Sequence, residues 1–370
     1  MGKQVHHKKT LSFSRKGYSL LFCALLVFSS TGTTRAEINA KDTPLGMGFV
    51  LANYPNSTLD DLQDAIGKAA IVGGHLSFVW SWRKTESLAL IERVVPVARA
   101  VGLDILMQVA PTALGEPSPP VGLPYDWADP SLRERFLADV ERVAQMQPEY
   151  LNLCAEVNLM YHFHPDQFAA FAPIYREAYD LVKAISPETQ VGFSMLDLLW
   201  IGYQQWTIPG QLGFDSLDFI AFTSYPDPLF YDGRLGVDNI DDIPADWYSA
   251  ARTVYPDIPI LITELGWTTR RMGSEPDQAQ FIQNLPRLFA DLKPELVTWT
   301  VLSDISFFDP AILPPEAVQF LEDLGVDPAE LFDRFNGMGL FTTTAQVKPG
   351  WFRALELVLP QPEVVTPQAQ

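Results

Sequence analysis

Eight short apolar runs recur along the chain, each followed by a segment of helical spacing, and this alternation constrains the fold more than any other feature. The runs are "LGMGFVLA" from Leu45, "LSFVWSW" from Leu76, "LDILMQVAP" from Leu103, "YLNLCAEVN" from Tyr150, "QVGFSML" from Gln190, "DFIAFTSYP" from Asp218, "PILITELGW" from Pro259 and "LVTWTVLSD" from Leu296. Each is rich in β-branched or aromatic residues and reads as apolar on both faces, the pattern of strands in a covered parallel sheet. Between them, segments such as "STLDDLQDAIGKAA", "DPSLRERFLADVERVAQM", "HPDQFAAFAPIYREAYDLVKAI" and "EPDQAQFIQNLPRLFADL" carry helix-start residues and amphipathic spacing. Eight such units are the count of an α/β chain folded as a (β/α)8 TIM barrel, here a single domain over 37–358. A doubly wound sheet is the alternative, but no Gly-rich phosphate-binding turn follows the first run.

The ends read differently. Residues 1–36 have a basic leader, an apolar run from Tyr18 to Phe28 and a small, polar stretch ending "TTRA", the pattern of a signal peptide cleaved after Ala36. That run is shorter than the ~20 residues a membrane-spanning helix needs, so the chain is expected to be secreted or periplasmic. Phe22 before Cys23 is too bulky for a lipoprotein cleavage site. The tail at 359–370, "LPQPEVVTPQAQ", is expected to be disordered. Six of the 26 Lys and Arg and none of the 45 acids lie in the leader, so the rest is more acidic than the formal −19 of the whole chain. Such a surface repels nucleic acid and anionic membranes and suits a neutral substrate. Cys154 is the one cysteine after the leader, so the exported chain has no internal disulfide; it is expected to be a monomer without cofactor.

Two connections are long and rich in Pro and aromatics: "TALGEPSPPVGLPYDWADP" after the third run and the stretch from Ser306 to Gly339 after the eighth. Both leave the carboxyl ends of their strands, which form the functional face of a barrel. At that face two acids interrupt apolar strands, Glu156 ending the fourth run and Glu264 the seventh. Residues two apart share a strand face, so Asn152, Cys154 and Glu156 are expected to point one way, as are Ile260, Ile262 and Glu264. With those faces inward, two carboxyl groups oppose each other across the barrel mouth. Glycosidic cleavage requires such a pair, one acid protonating the leaving oxygen while the other attacks the anomeric carbon or activates water. Either acid alone would read equally well as a structural carboxylate.

The placement of Glu156 and Glu264, the "TELGW" context, "DFIAFTSYP", "VTWTVLSD" and the closing "GLFTTTAQVKPGWFR" resemble the clan of retaining glycoside hydrolases with a 4/7 barrel, with endo-β-1,4-galactanases and β-mannanase-like families nearest. The resemblance covers the chain from first strand to last helix. It implies a glycosidase acting on a β-linked poly- or oligosaccharide with retention, Glu264 as nucleophile and Glu156 as acid/base. It further implies that Tyr225 donates a hydrogen bond to the nucleophile and that Trp299 floors the sugar at the cleavage point. The clan places Asn before the acid/base, where it contacts the sugar; this chain has Ala155, and Asn158 is the candidate replacement. The same substitution motivates an alternative, a barrel that binds carbohydrate without cleaving it.

Trp82, Trp267 and Trp299 are candidate sugar-stacking aromatics, with Trp80 and Arg83 beside the first, although Trp at strand ends is equally often core. His162 and His164 have the spacing of a metal pair, but no second His or Cys cluster accompanies them; a rim contact to substrate by His162 is preferred and no metal is expected. Cys154 reads as a small buried hydrophobe. An enzyme of phosphorylated metabolites would want Gly-rich loops after the last two strands, where the chain has "TTRRMGSEP" and "SDISFFDP".

Overall fold

In the computed structural model the described residues are 45–358, apart from 54–55, 83–84, 112–125, 227–236, 238, 245, 272, 306–317, 320–321 and 323–326. The expected signal peptide at 1–36, the 359–370 tail, Arg83 and most of the two long connections therefore lie outside the described residues. Eight parallel strands close into a barrel in sequence order: β1 Leu45–Gly48, β2 His75–Ser81, β3 Asp104–Ala110, β4 Tyr150–Asn152, β5 Gln190–Leu196, β6 Phe219–Ser224, β7 Ile260–Leu265 and β8 Leu296–Trp299, with β8 pairing back onto β1. All eight apolar runs supply a strand, and the fold is the (β/α)8 barrel.

The helices that follow are α1 (Leu59–Val72), α2 (Thr85–Ala100), α3 (Pro130–Ala144), α4 (Val157–Phe163), α5 (Pro165–Ile185), α6 (Asp197–Gly202), α7 (Ile208–Leu212), α8 (Ser249–Val254), α9 (Glu275–Leu288), α10 (Pro328–Asn336) and α11 (Pro349–Val358). Local chemistry fixes where several begin. Thr58 and Asp61 form a capping box on α1, the Asp61 amide donating to Thr58 Oγ1 and the Thr58 amide to Asp61 Oδ2. Asp129 and Ser274 are N-caps of α3 and α9, their side chains accepting the Ser131 and Asp277 amides, each followed closely by Pro, whose missing N–H costs nothing in a first turn.

Strand alternation sorts side chains into two compartments. Ile105, Met107 and Val109 of β3, with Ile260 and Ile262 of β7, join the core between barrel and helices. Leu106, Phe219, Ala221, Leu261 and Leu296 form a separate apolar cluster with Tyr150, drawn from five different strands and hence inside the barrel. The interior is not apolar throughout, as the sequence reading expected. His75 Nε2 meets Thr298 Oγ1 at 2.8 Å, in space left open by Gly46, whose Cβ would stand 2.1 Å from the imidazole. Above it, Ser77, Gln108, Asn152 and Ser194 form a fully buried polar layer. Burying so many polar groups is tolerable because they satisfy one another.

Candidate active site

The polar layer leads directly to the two acids. Gln108 Nε2 donates to Ser77 Oγ (3.2 Å), to the Thr263 carbonyl and to Glu264 Oε1 (both 3.3 Å). Asn152 Nδ2 donates to Gln108 Oε1 (3.1 Å) and to Ser194 Oγ (2.9 Å), and Ser194 Oγ accepts the Glu156 amide at 3.1 Å. A continuous hydrogen-bonded chain inside the barrel thus runs from one glutamate's carboxylate to the other's backbone.

Glu264 reaches the interior by an irregularity that strand periodicity does not supply. On β7, Leu261 faces inward and Ile260 and Ile262 face the helices, so simple alternation would turn Glu264 outward with them. The β6–β7 register shifts, however: Phe222 pairs with Ile262 and the next residue, Thr223, pairs with Glu264. Thr263 is the extra residue of a β-bulge, and the bulge re-aims Glu264 into the mouth. The expectation that Ile260, Ile262 and Glu264 share one face is therefore corrected.

Glu156 arrives by a different device. β4 ends at Asn152, and the chain then continues irregularly, with the Leu153 amide bonded to the Gly192 carbonyl and the Ala155 amide to the Val109 carbonyl. Glu156 itself has φ 53° and ψ 44°, a left-handed conformation costing a non-glycine residue roughly 1–2 kcal/mol. Two sets of bonds offset that strain. Ser194 takes its amide, and Asn158, two residues on, clamps Leu196, accepting its N–H at 2.8 Å and donating to its carbonyl at 2.9 Å. Backbone strain held in place by several contacts is a feature of functional positions. Thr223 Oγ1 then donates to Glu156 Oε1 at 2.7 Å.

Both carboxyl groups are partly open to the mouth and both resist ionisation. Burial raises the Glu156 pKa, opposed by the Thr223 bond, with the Asp197 charge adding to the rise. Glu264 is pushed up to about 7, by burial first and then by the Glu156 charge, while bonds from Tyr225 and Gln108 pull it back. The Tyr225 hydroxyl lies 2.5 Å from Glu264 Oε2 and 3.0 Å from Thr300 Oγ1. Two carboxyl groups that feel each other this way titrate as a pair. Glu264 accepts two donors and Glu156 one, and the Glu156 charge is itself a cause of the rise at Glu264.

The remaining sequence candidates are dispersed. Trp299 lies on the outer face of β8, 1% exposed, 6.4 Å from the Phe281 ring, with its indole N–H donated to the Met338 carbonyl at 2.9 Å. Trp82 is buried between Trp127, stacked at 5.2 Å, and Phe136, and donates to Asp139 Oδ2. Trp267 is buried 5.2 Å from Phe281. None of these three indoles is placed as a platform in the mouth, because outward strand positions and the helix layer take them. Asn158 is fully buried and committed to Leu196 and to Gln205 Oε1, so its amide does not substitute for the one missing at Ala155. His162 is half-buried on the rim against Phe163 and Tyr203, the latter 43% exposed, and burial lowers its pKa. Among the described residues no cluster of three or more His, Cys, Asp or Glu could hold a metal ion.

The sequence reading missed Gln108, Thr223 and Thr300, which hold the glutamates, and Asp197, behind Glu156. Gln108 had a visible signal, a lone carboxamide in "ILMQVA". The site is also walled on one side: Leu198, Leu199, Val301, Ile305, Leu331 and Phe332 gather around Tyr225 as an apolar cluster built from segments that follow β5, β6 and β8, and the Phe335 ring lies 5.2 Å from that tyrosine. On the other side, Val79 of β2 faces the mouth and is 47% exposed.

No family model matches the chain, and no curated protein matches its sequence. Solved structures do. GH5_18 from Streptomyces cattleya, in complex with GlcNAc, superposes with a TM-score of 0.61 at 16% identity, over 85% of this chain and 79% of that one. The exo-beta-1,4-mannosidase Op5Man5 from Opitutaceae bacterium strain TAV5 gives 0.62 at 16% identity, over 85% of this chain and 59% of that longer protein. A family 39 glycoside hydrolase from Bacteroides cellulosilyticus WH2 gives 0.60 at 14% identity, over 86% and 64%. The chain thus has the eight-stranded parallel barrel fold of GH5 and family 39 glycoside hydrolases, at identities that single out no one family.

Proposed function

We propose that the chain is an exported glycoside hydrolase that cleaves a β-linked poly- or oligosaccharide with retention of configuration. The observation that carries this reading is the pair of electrostatically coupled carboxyl groups at the carboxyl-terminal end of the barrel, Glu264 held by Tyr225 and Gln108 and Glu156 by Thr223. In the first step a Glu264 oxygen attacks the anomeric carbon as the glycosidic C–O bond breaks, and Glu156 gives its proton to the leaving oxygen. In the second, water attacks the same carbon, Glu156 takes the water's proton, and the bond to Glu264 breaks. Tyr225 and Gln108 favour the ionised nucleophile, and burial favours the protonated acid.

Purified protein incubated with β-linked galactan, mannan, glucan and xylan tests the reading, with the first-formed anomer followed by proton NMR. Release of a β-anomer that later mutarotates is expected; an initial α-anomer would overturn the double displacement. A second reading rests on Ala155, whose position presents only a methyl group while Asn158 is occupied elsewhere. It makes the barrel a carbohydrate-binding protein, and saccharide binding without release of product from any of the four would favour it.

Tyr225→Phe provides a finer test. Losing a hydrogen bond to a charged group costs about 1.5–3 kcal/mol, so kcat/KM is expected to fall roughly 10- to 100-fold. Without that donor the Glu264 pKa rises further, so the acidic limb of the pH–rate profile should move to higher pH. An unmoved limb would remove Tyr225 from the nucleophile's support.

A further inference from the structure

Glu156 has a second buried carboxyl group behind it that the proposed mechanism does not use. Asp197, the first residue of α6, is 4% exposed, and its Oδ2 accepts hydrogen bonds from Ser224 Oγ at 2.5 Å and Trp247 Nε1 at 2.9 Å. Ser224 and Thr223 are consecutive residues of β6 and point to opposite faces of the barrel wall. Thr223 holds Glu156 from inside, and Ser224 holds Asp197 from outside. The Asn158–Leu196 clamp ties the same two segments together a second time, joining the turn after Glu156 to the residue before Asp197. The two acids are therefore held on either side of one strand end by bonds to consecutive residues of β6.

We infer that Asp197 is a positioning residue for Glu156, a fixed negative charge behind the barrel wall that keeps the proton on the acid/base while making no contact with the reacting atoms. The titratable groups that face Glu156 are Glu264 and Tyr225 across the mouth, Cys154 from its own segment, and Asp197; those that face Asp197 are Glu156 and Tyr248. All are acidic, and among the described residues no cation is paired with Asp197. Burial raises its own pKa to about 6, with Ser224 and Trp247 pulling it back, so the charge is present at neutral pH. Desolvation keeps this interaction stronger than it would be in water. The device differs from simple burial of Glu156 because it switches off when Asp197 itself is protonated. This inference takes the acid/base role of Glu156 from the function proposed above, but the electrostatic coupling is measurable without turnover.

The test uses the full-length protein labelled with carboxyl-¹³C glutamate, in a Glu264→Gln background so that the partner across the mouth does not titrate. The Glu156 resonance is assigned by its loss in Glu156→Gln. The expected result is a two-step Glu156 titration in which one step follows Asp197 near pH 6, collapsing to a single step at lower pH in Asp197→Asn, whose side-chain oxygen still accepts from Ser224 and Trp247. A single-step titration in the Asp197-containing protein overturns the inference even if Asp197→Asn does not fold. On the wild-type background, Asp197→Asn should move the alkaline limb of the pH–rate profile to lower pH, since losing a nearby negative charge favours ionised Glu156; an unmoved limb alongside measurable hydrolysis overturns it too. If the NMR coupling is present and no saccharide is cleaved, the inference about Asp197 stands and the glycosidase reading falls.

Discussion

Glu264→Gln is expected to abolish hydrolysis while leaving the protein more stable at pH 8 than the wild type. The loss of turnover should be on the order of 10⁴-fold or more, the scale seen when a covalent catalytic group is removed. The stability gain follows from the sign of the pKa shift. The folded-state pKa of Glu264 is raised from 4.5 to about 7, so the carboxyl group's contribution to stability is fully present below pH 4.5 and is lost as pH rises through about 7. Gln has no proton to lose and escapes that loss. Partial exposure of the carboxylate and the less favourable contact of an amide with Gln108 both reduce the gain, leaving on the order of 1 kcal/mol. Thermal unfolding of both proteins at pH 4 and pH 8 checks it: the variant should unfold higher at pH 8 and near the wild type at pH 4. Undiminished turnover would sink the nucleophile assignment, and a loss of activity accompanied by a lower melting temperature at both pH values would mark Glu264 as structural. The role can be separated from that of Glu156 with azide, which is small enough to enter in place of a missing side chain. In Glu264→Ala it should form a glycosyl azide of inverted configuration, in Glu156→Ala one of retained configuration.

The eight strands were legible because strand and helix periods differ and because both compartments of a barrel need apolar residues in quantity. The position of Glu156 and Glu264 along the chain was legible for a simpler reason: an acid at the end of an apolar strand must go somewhere, and in a barrel that end is the mouth. How each reaches the mouth was not legible. Thr263 carries no mark of a bulge, since any residue can be the unpaired one, and the register shift is set by pairing with β6, more than thirty residues away. The left-handed turn at Glu156 is equally silent in sequence, for the residue types that favour it are Gly and Asn. Partners drawn from other strands, such as Gln108 with Glu264 or Ser194 with the Glu156 amide, depend on barrel closure and on the shear between strands. Asn158 shows the limit from the other side: its type suited a sugar contact, and its surroundings gave it to a backbone.

Trp299→Ala should cost stability before it costs recognition. As a sugar platform, Trp299 would be dispensable to the fold, and its removal would raise KM in a protein that melts normally. Its ring instead lies on the outer face of β8, 1% exposed, among Phe281 and the residues of the barrel–helix core. Truncating a buried Trp to Ala removes its transfer free energy and leaves a cavity, together about 3–5 kcal/mol. The lost hydrogen bond adds little, since the Met338 carbonyl also accepts from Gln278 Nε2 at 3.2 Å. For a chain of this size each kcal/mol lowers the melting temperature by roughly 2 °C, so a fall of about 6–10 °C is expected. Trp299→Phe, which keeps most of the volume, should recover more than half of that difference. An unchanged melting temperature with weakened saccharide binding would return Trp299 to the sugar site.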